Sequence, residues 1–386
     1  MKIVNNIVVI TAGYPTPVNP KPLVFLDQLV CRWAEMGVNV VVVCPVPYFI
    51  ELKDRNKYYK YKWYRETSGN SITVYHPRYI GFGSVEESSL LAFSVSYNNF
   101  QNAVKRVISS LNIKPDVLYS HFLTSGRHTG DLAELYDIPG FCAFGESSLW
   151  SVKPFNHSQT KHSLNKLSGI IAVSSENKRV LFESDLFDQE RVIVIPNGVD
   201  RRVFFPYDKD CMREKLKFPR EEIIGVFVGA FCSRKGVLRV QKAASNSNIK
   251  MIYIGDGEEF PNGSNILFAG KVNHDLVAQY LSAADFFVLP TRAEGCCNSI
   301  LEAISCGLPV ISSNRSFNDD ILDDKYSIRI DPDDIHMIQT AMEYLAQNED
   351  KRMDMSREAY LASEKFSLEW RASRILEIME KSLVTQ

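Results

Sequence analysis

Two carboxylates, Glu294 and Glu302, stand eight positions apart in the stretch of the chain that carries the most chemical information, residues 284–313. Gly295 and a run of small residues, CCNS, follow the first carboxylate. An apolar run before Glu294 predicts a buried strand, and apolar residues at helical spacing after it predict a helix that ends near Gly307. We therefore expect the two carboxylates at a strand–loop–helix junction.

Such a junction has the physical properties of an anion site. The free backbone N–H groups of a first helical turn and the helix dipole attract anions, and Gly295 lets the backbone approach a ligand closely. Glu294 would lie at the carboxyl end of its strand, where open parallel sheets bind ligands. A phosphate with hydroxyl-binding carboxylates on either side indicates a nucleotide sugar. On spacing alone, two ordinary helical glutamates are the commoner interpretation.

The complete pattern E-G-x-x-N-S-x-L-E-A-x-x-x-G-x-P-V-I resembles the signature of the retaining glycosyltransferases of family 4, which have the GT-B fold. This resemblance implies an α/β protein with two doubly wound, Rossmann-like parallel-sheet domains facing across a cleft. It also implies a C-terminal helix that crosses back to the first domain. Strands and helices alternate through both halves of the chain, which independently predicts two such sheets. We expect an acceptor-binding domain at 1–195, completed by 366–386, and a nucleotide-sugar-binding domain at 196–365.

A second segment, GAFCSRKG at 229–236, resembles the G-R-x-x-x-x-K-G segment of the same family. The resemblance assigns Lys235 to the donor diphosphate, where a cation neutralises the leaving group in the transition state. The arginine that normally follows the first glycine is Ala230 here, and Arg234 is the nearest substitute. A solvated lysine is the alternative for Lys235, and the missing arginine leaves a catalytically weak nucleotide-sugar-binding protein as an alternative function.

The other donor contacts follow from the resemblance alone. Glu302 would accept hydrogen bonds from the ribose hydroxyls, Glu294 from the sugar hydroxyls, and the backbone at 270–272 would hold the base. The connector IPNGVD at 195–200 would lie at the hinge of the cleft. The implied donor-binding residues are Glu302, Gly295, Cys296, Cys297, Asn298, Ser299, Arg234, Gly270, Lys271, Val272, Asn197 and Gly198.

His121 ends the predicted strand PDVLYSH, in a position similar to that of a cleft histidine in the family. The resemblance groups it with Glu294 and Lys235 as catalytic, hydrogen-bonded to the sugar or the acceptor. A histidine that caps a strand end and is satisfied by backbone is the alternative. In enzymes of this kind the acceptor attacks from the face that the diphosphate leaves, so neither a carboxylate nucleophile nor a metal is required. We predict no metal and no cofactor, and a UDP- or GDP-linked donor.

The composition sets wider limits. A chain of 386 residues can form two ordinary domains, and a net charge of −2 argues against nucleic-acid binding. Eight cysteines without a C-x-x-C pair indicate reduced thiols in the cytoplasm. No apolar run reaches the roughly 18 residues of a membrane-spanning helix, and the first residues read as a buried strand rather than a signal peptide.

Residues 51–66, ELKDRNKYYKYKWYRE, contain six basic and three acidic residues interleaved with aromatic ones. Basic charge beside aromatic rings can hold an anionic membrane surface. Residues 53–65 are therefore a candidate for peripheral contact with the inner face of the membrane. A solvated loop or a lysine-rich strand edge is the alternative.

Together these patterns predict a retaining, metal-independent glycosyltransferase of the hexosyltransferase type. It would move a sugar from a nucleotide-diphosphate sugar to a hydroxyl of a glycan or lipid-linked acceptor, in cell-surface polysaccharide synthesis. A nucleotide-sugar epimerase on a similar fold is the alternative enzyme, and it would need no acceptor.

Overall fold

The structure, a computed structural model, divides the chain into two compact units. The residues that it describes are 3–20, 22–48, 60–81, 90–245 and 247–384. The first unit comprises Met1–Val173, Asn177–Ile195 and Ala372–Gln386, and the second comprises Ser174–Glu176 and Pro196–Arg371. One division thus falls after Ile195 and another inside the last helix.

Strands and helices alternate through both units. The strands of the first unit are β1 (Asn6–Ile10), β2 (Asn39–Val43), β3 (Val46–Pro47), β4 (Lys62–Arg65), β5 (Ile72–Tyr75), β6 (Arg78–Tyr79), β7 (Val117–His121), β8 (Gly140–Phe144), β9 (Gly169–Ala172) and β10 (Val192–Val194). Those of the second unit are β11 (Ile224–Val228), β12 (Lys250–Ile254), β13 (Ile266–Gly270), β14 (Phe286–Leu289), β15 (Val310–Ser313) and β16 (Ser327–Ile330). The helices are α1 (Val24–Glu35), α2 (Leu90–Ser110), α3 (Leu123–Tyr136), α4 (His157–Asn165), α5 (Ser175–Glu183), α6 (Lys209–Leu216), α7 (Val237–Ser245), α8 (Val277–Ala283), α9 (Asn298–Ser305), α10 (Ile335–Gln347), α11 (Glu349–Ala362) and α12 (Leu368–Val384).

The main sheet of the first unit has the strand order β10-β9-β8-β7-β1-β2-β5-β4. All its pairings are parallel except β4 with β5. Parallel strands are covered on both faces, so they read as continuous apolar runs rather than alternating ones. The NVVVV sequence of β2 and the fully buried β7 and β8 show this pattern.

The sheet of the second unit has the order β13-β12-β11-β14-β15-β16 and is parallel throughout. Its core packs the fully buried β14 against apolar residues of α9, among them Ile300 and Ile304. The predicted α/β class with two parallel sheets is confirmed.

No helix in the described part of the chain is both long enough and apolar enough to cross a membrane. All eight cysteines are free thiols, and only Cys211 is exposed.

Candidate active site

The second unit brings two of the predicted loops together at the centre of its sheet. β11 and β14 are neighbours there, and the chain leaves them in opposite directions, toward β12 on one side and β15 on the other. Loops that diverge from such a pair leave a crevice at the carboxyl ends of the strands, which is where open α/β sheets bind ligands. Residues 229–236 follow β11 and residues 290–297 follow β14. Lys235 and Glu294 therefore lie on adjacent loops.

Close backbone packing fixes the loop that carries Lys235. Gly236 has φ +82°, which side chains rarely adopt, and a Cβ atom there would lie 2.9 Å from the carbonyl oxygen of Pro290. A Cβ on Gly255, which follows β12, would lie 1.9 Å from the carbonyl oxygen of Gly229. A larger residue at either glycine would displace the loop and with it the lysine.

The carboxylate of Glu294 is the centre of the site. Its Oε1 lies 2.6 Å from Arg234 Nη1 and 2.6 Å from Lys235 Nζ, and it accepts a hydrogen bond of 2.8 Å from Thr291 Oγ1. The Glu294 and Lys235 side chains are only 13% and 12% exposed, whereas Arg234 is 48% exposed. Three of the predicted donor-site residues therefore meet at one oxygen atom. Thr291 was not predicted, because an isolated threonine after a strand carries no signal in the sequence.

The charges of this cluster are unbalanced. Burial lowers the pKa of Lys235, whereas Cys297 and Glu294 raise it, and the net direction is upward. The ammonium group is therefore charged at neutral pH, beside the guanidinium of Arg234. Two cations that share one carboxylate leave an excess positive charge, which suits a bound anion.

The two cysteines of the loop are neutral thiols. Burial raises the pKa of Cys296 to about 12 and also raises that of Cys297. Since the thiolate is the nucleophilic form, neither is activated for covalent chemistry. In the described part of the chain, no three His, Cys, Asp or Glu side chains are grouped as metal ligands.

The backbone between Glu294 and α9 presents N–H groups that the protein itself does not use. Among the described residues, no backbone or side-chain acceptor takes a hydrogen bond from the amides of residues 295–299. The next two, on Ile300 and Leu301, turn back to the Cys297 carbonyl at 3.2 and 3.3 Å. The first amides at the positive end of α9 are therefore available to an anion.

Glu302 contacts a histidine that was not predicted. The Glu302 side chain is 11% exposed, and its Oε1 lies 2.9 Å from Nε2 of His274, whose ring also contacts Phe204 edge-on. The hydrogen bond to Glu302 raises the pKa of His274, and burial opposes this with a smaller effect. His274 thus occupies one carboxylate oxygen and leaves Oε2 for a ligand.

Replacing Glu302 with glutamine is expected to lower the pKa of His274 toward its ordinary value, because the anionic acceptor is lost. An NMR titration of the His274 ring protons in the two proteins measures this, and an unchanged pKa would contradict the pairing. Because folding raises the pKa of His274, the pair stabilises the fold fully below about pH 6.5, which is the pKa of a histidine in the unfolded chain. This stabilisation is lost as the pH rises through the pKa of His274 in the folded protein.

Because the His274 side chain is 53% exposed, this stabilisation is expected to stay below about 1 kcal/mol. The melting temperature of His274→Gln should therefore fall slightly below that of the native protein at acidic pH and match it at alkaline pH. The same substitution in a Glu302→Gln background is the control, and it should show no such pH dependence.

Two further predicted donor contacts, Asn197 and Gly198, lie at the start of the second unit and contact other parts of it. The side-chain amide of Asn197 donates to Asn298 Oδ1 at 2.8 Å, which ties the connector to the start of α9. Gly198 packs against the chain at Leu368, where a Cβ atom would lie 2.8 Å from its Cα. Gly198 thus has a packing reason to be glycine, independent of any ligand.

The predicted base-binding residues follow β13. Gly270 ends this strand, Val272 packs partly buried against the core, and the exposed Lys271 pairs with Asp256. Lys271 thus has a carboxylate partner at the surface, and the backbone of this segment stays the predicted contact to the base.

His121 lies in the first unit, at the carboxyl end of β7, which neighbours β1 at the corresponding reversal of strand order. It is 4% exposed, and its ring centroid lies 4.8 Å from those of Phe25 and Phe122. In the loop after β8, burial raises the pKa of Glu146 to about 7. The carboxyl edge of this sheet therefore also carries buried ionisable groups.

Two family models match the chain and between them account for most of its length. The model described as Glycosyltransferase Family 4 matches residues 24–203, and the one described as Glycosyl transferases group 1 matches residues 208–362. The chain belongs to the group 1 glycosyltransferases. The second match includes both carboxylates and both cations of the site.

Curated relatives of this group 1 glycosyltransferase include TuaC of Bacillus subtilis, which is named for teichuronic acid biosynthesis. It is 26% identical over 322 residues, covering 79% of this chain and 80% of the relative. A second relative is the Escherichia coli UDP-Gal:alpha-D-GlcNAc-diphosphoundecaprenol alpha-1,3-galactosyltransferase, 28% identical over 240 residues. That match spans 55% of this chain and 61% of the relative, which is less than two thirds of its length.

Solved structures confirm the predicted GT-B fold. Sucrose-phosphate synthase of Thermosynechococcus elongatus superposes with a TM-score of 0.77 at 16% identity, over 99% of this chain and 100% of that one. HepE of Anabaena in complex with UDP superposes with a TM-score of 0.72 at 14% identity, again over 99% and 100%.

Proposed function

We propose that this group 1 glycosyltransferase is a retaining, metal-independent hexosyltransferase. It moves a sugar from a nucleotide-diphosphate sugar to a hydroxyl of a glycan or lipid-linked acceptor. The observation that supports it best is the meeting of Arg234, Lys235 and Glu294 beside the open backbone amides of residues 295–299. Cations and amides suit a diphosphate, and the carboxylate suits sugar hydroxyls.

In this proposal the donor reorganises the cluster. Its diphosphate takes the ammonium of Lys235, the guanidinium of Arg234 and the amides at the start of α9, with Asn298 and Ser299 first among them. Glu294, released from the two cations, accepts hydrogen bonds from the sugar hydroxyls and orients the ring. Glu302 accepts hydrogen bonds from the ribose through Oε2. Arg234 thereby supplies the second cation that Ala230 does not.

The main catalytic requirement is to stabilise the leaving group. As the glycosidic bond breaks, negative charge grows on the diphosphate, and cations already in place stabilise it without reorganising. The acceptor hydroxyl then attacks from the same face, which retains the anomeric configuration. This course needs no carboxylate nucleophile, so the proposed role of Glu294 is to orient the sugar.

The class of product is argued from the relatives. TuaC is named for teichuronic acid biosynthesis, and the Escherichia coli relative is named for transfer of galactose from UDP-Gal to a diphosphoundecaprenol-linked sugar. HepE has been solved with UDP. We therefore propose a UDP-linked donor ahead of a GDP-linked one, and a place in the synthesis of a cell-surface polysaccharide in the cytoplasm.

A thermal-shift panel of nucleotide sugars tests the proposal. A ligand that binds only the folded protein stabilises it by about 2.7 kcal/mol when present at 100 times its Kd, which raises the melting temperature. We expect a shift with one or more UDP- or GDP-sugars, reduced in Lys235→Ala and retained in Lys325→Ala. No shift with any nucleotide sugar would contradict the proposed function.

The reaction products separate the proposed function from its alternatives. Transfer requires an acceptor, and without one we expect only slow hydrolysis of the donor. Conversion of the nucleotide sugar alone into a stereoisomer, seen by NMR, would indicate an epimerase. Binding with neither hydrolysis nor transfer would indicate a nucleotide-sugar-binding protein.

We also propose peripheral membrane contact through the edge strand β4. Residues 51–59 of this segment lie outside the described residues, but β4 is the last strand of its sheet and is largely exposed. Lys62 Nζ lies 5.4 Å from the ring centroid of the exposed Tyr64, and Lys60 and Tyr61 are exposed beside it. Basic and aromatic side chains on one exposed edge suit an anionic lipid surface.

Sedimentation with acidic lipid vesicles tests this contact. Changing Lys57, Lys60 and Lys62 to Glu should abolish co-sedimentation, because the electrostatic attraction amounts to about 1 kcal/mol per basic residue at such a surface. The matched control changes Lys215, Lys217 and Lys325 of the second unit to Glu, and it should leave co-sedimentation intact. Equal sedimentation of both triple variants would dismiss the contact.

A further inference from the structure

A cavity of about 840 Å³ opens among three helices of the first unit. Its walls come from α2, α3, α4 and the residues just before α4, and none of the donor-site residues contributes to it. Its volume lies within the range of small-molecule sites, about 300–1,000 Å³. The lining is predominantly polar and includes a buried arginine, Arg127.

The guanidinium of Arg127 packs against two aromatic rings. Its guanidinium carbon lies 3.7 Å from the ring centroid of Phe155 and 4.8 Å from that of Tyr97. His128 stacks on Tyr97, with their ring centroids 3.9 Å apart. The contacts of Arg127 with the Phe155 and Tyr97 rings, which meet edge to face, restrict the orientation of this cavity-lining guanidinium.

The guanidinium of Arg127 is only partly hydrogen-bonded within the described part of the chain. The residue is 5% exposed, and its Nε and Nη1 are buried without a hydrogen-bond partner among the described residues. Burial lowers its pKa, the direction expected when water is withdrawn and not fully replaced. A buried cation in this condition is costly, and an anion at the guanidinium would offset that cost.

The carboxylate that shares the cavity is already engaged. Asp131 accepts a hydrogen bond from the Tyr97 hydroxyl at 2.9 Å on Oδ2 and lies 3.1 Å from Lys166 Nζ on Oδ1. Of the described residues that line the cavity, two are permanently cationic, Arg127 and Lys166, and Asp131 is the one carboxylate. Lys166 also lies 2.7 Å from Glu134 Oε2, so its charge is balanced within the protein and Arg127 is the cation left for a bound anion.

The rest of the lining suits hydroxyl groups. Four side-chain amides and three serine hydroxyls line the cavity with the arginine, and these groups both donate and accept hydrogen bonds. They are Asn98, Gln101, Asn156, Gln159, Ser94, Ser158 and Ser163. A sugar that carries an acidic group can use both these polar groups and the cation, whereas a free inorganic anion uses the cation alone.

We propose that this cavity binds an acidic sugar residue of the acceptor glycan, with the carboxylate or phosphate of that sugar at Arg127. The inference rests on the proposed function, because only a transferase needs a glycan acceptor. It adds the chemical class of that acceptor, a glycan with anionic sugars, and places the residue that selects it in the first unit.

Ligand-observed NMR with the full chain tests the proposal, using glucuronic acid, glucose 6-phosphate and glucose as probes. Inorganic phosphate, which has no carbon-bound protons, is measured by its displacement of a bound acidic sugar. We expect saturation transfer to one or both acidic sugars and at least about tenfold weaker binding of glucose, about 1.4 kcal/mol. A response to glucuronic acid alone identifies a carboxylate, and a response to glucose 6-phosphate alone identifies a phosphate. Inorganic phosphate bound as tightly as the acidic sugars would overturn the proposal.

Two variants locate the binding. Arg127→Met should abolish the response, whereas Arg374→Met, which removes an exposed arginine from the same unit, should preserve it. Ser158→Trp places a bulky ring at an exposed position of the cavity wall without changing any charge, and it should also abolish the response. Undiminished binding in a folded Arg127→Met or in Ser158→Trp would overturn the proposal.

Failure of this inference can be told apart from failure of the proposed function. Arg127 and the donor site belong to different units, so nucleotide-sugar thermal shifts should be the same in Arg127→Met as in the native protein. A native protein that binds nucleotide sugars and no acidic sugar would refute the cavity assignment alone. A native protein that shows no thermal shift with any nucleotide sugar would refute the transferase assignment itself.

Discussion

Changing Glu294 to glutamine is expected to lower kcat/KM by about 10- to 100-fold, a loss of about 1.4–2.7 kcal/mol of transition-state stabilisation. Oε1 of this carboxylate accepts hydrogen bonds from Arg234, Lys235 and Thr291, so one substitution affects three contacts. The amide has the same shape but no charge, and its NH₂ group cannot accept a hydrogen bond. Initial rates of transfer at varied donor concentration measure the effect.

The effect should appear in kcat as well as in KM, because the proposed role of Glu294 is to orient the sugar while its bond breaks. Asp333→Asn is the matched control. Asp333 pairs with Arg292 in the same unit at 2.7 Å and is half exposed, so its change should alter the rate less than about twofold. A Glu294→Gln enzyme with native rates would rule out the assigned site.

The fold was predictable because its strands have a strong signal. Strands buried on both faces, such as β2 and β14, appear as short apolar runs bounded by loops, and the helices between them have one apolar face. The pattern also predicts where ligands bind, since the carboxyl ends of adjacent strands bring their loops together. Lys235 and Glu294 are 59 positions apart in the chain and come together for this reason.

The partners of the predicted residues could not be predicted, because side-chain direction is set by tertiary packing. His274 lies 28 positions from Glu302 and reaches it only because the loop after β13 passes beside α9. In the sequence, this histidine stands in a polar segment and has no pattern that marks it as a partner of Glu302. Thr291 is near Glu294 in the chain, but only the turn after β14 brings its hydroxyl to the carboxylate.

The cavity at Arg127 shows the same limit in the first unit. Its rings and cation come from α2, α3 and the residues before α4, and each is unremarkable within its own segment. Arg127 lies on a helix after a buried strand, where an arginine is usually solvated. The packing of three helices, which sequence patterns alone do not give, buries it and leaves its Nε and Nη1 without a hydrogen-bond partner among the described residues.

Arg234 can take the place of the arginine that the family pattern has where this chain has Ala230. Its guanidinium reaches the same carboxylate oxygen as Lys235, at the same distance of 2.6 Å. A guanidinium that reaches this oxygen can also contact a phosphate bound beside it, although Arg234 lies four positions after Ala230, where the family has its arginine. The proposed site therefore has two cations that can neutralise a diphosphate leaving group.

Removing these cations is expected to have the largest effect of any change in the molecule. Lys235→Ala should lower kcat by about 100-fold, about 2.7 kcal/mol, because the buried ammonium is the more desolvated cation and its interactions are the less screened. Arg234→Ala should lower kcat by about tenfold, since the guanidinium is half exposed. Steady-state kinetics with a nucleotide-sugar donor, together with the affinity for the free nucleotide diphosphate, separates lost rate from lost binding.

The double variant decides whether the two cations act as a pair. Because they share Glu294 and, in the proposal, one diphosphate, their effects should not add, and the deviation should reach about 0.5 kcal/mol or more. Lys325→Ala, at an exposed lysine of the same unit, controls for net charge and should leave kcat unchanged. A slow Lys235→Ala enzyme beside a fully active Arg234→Ala enzyme would mean that Arg234 does not replace the missing arginine. The leaving group would then depend on one cation and on the amides at the start of α9.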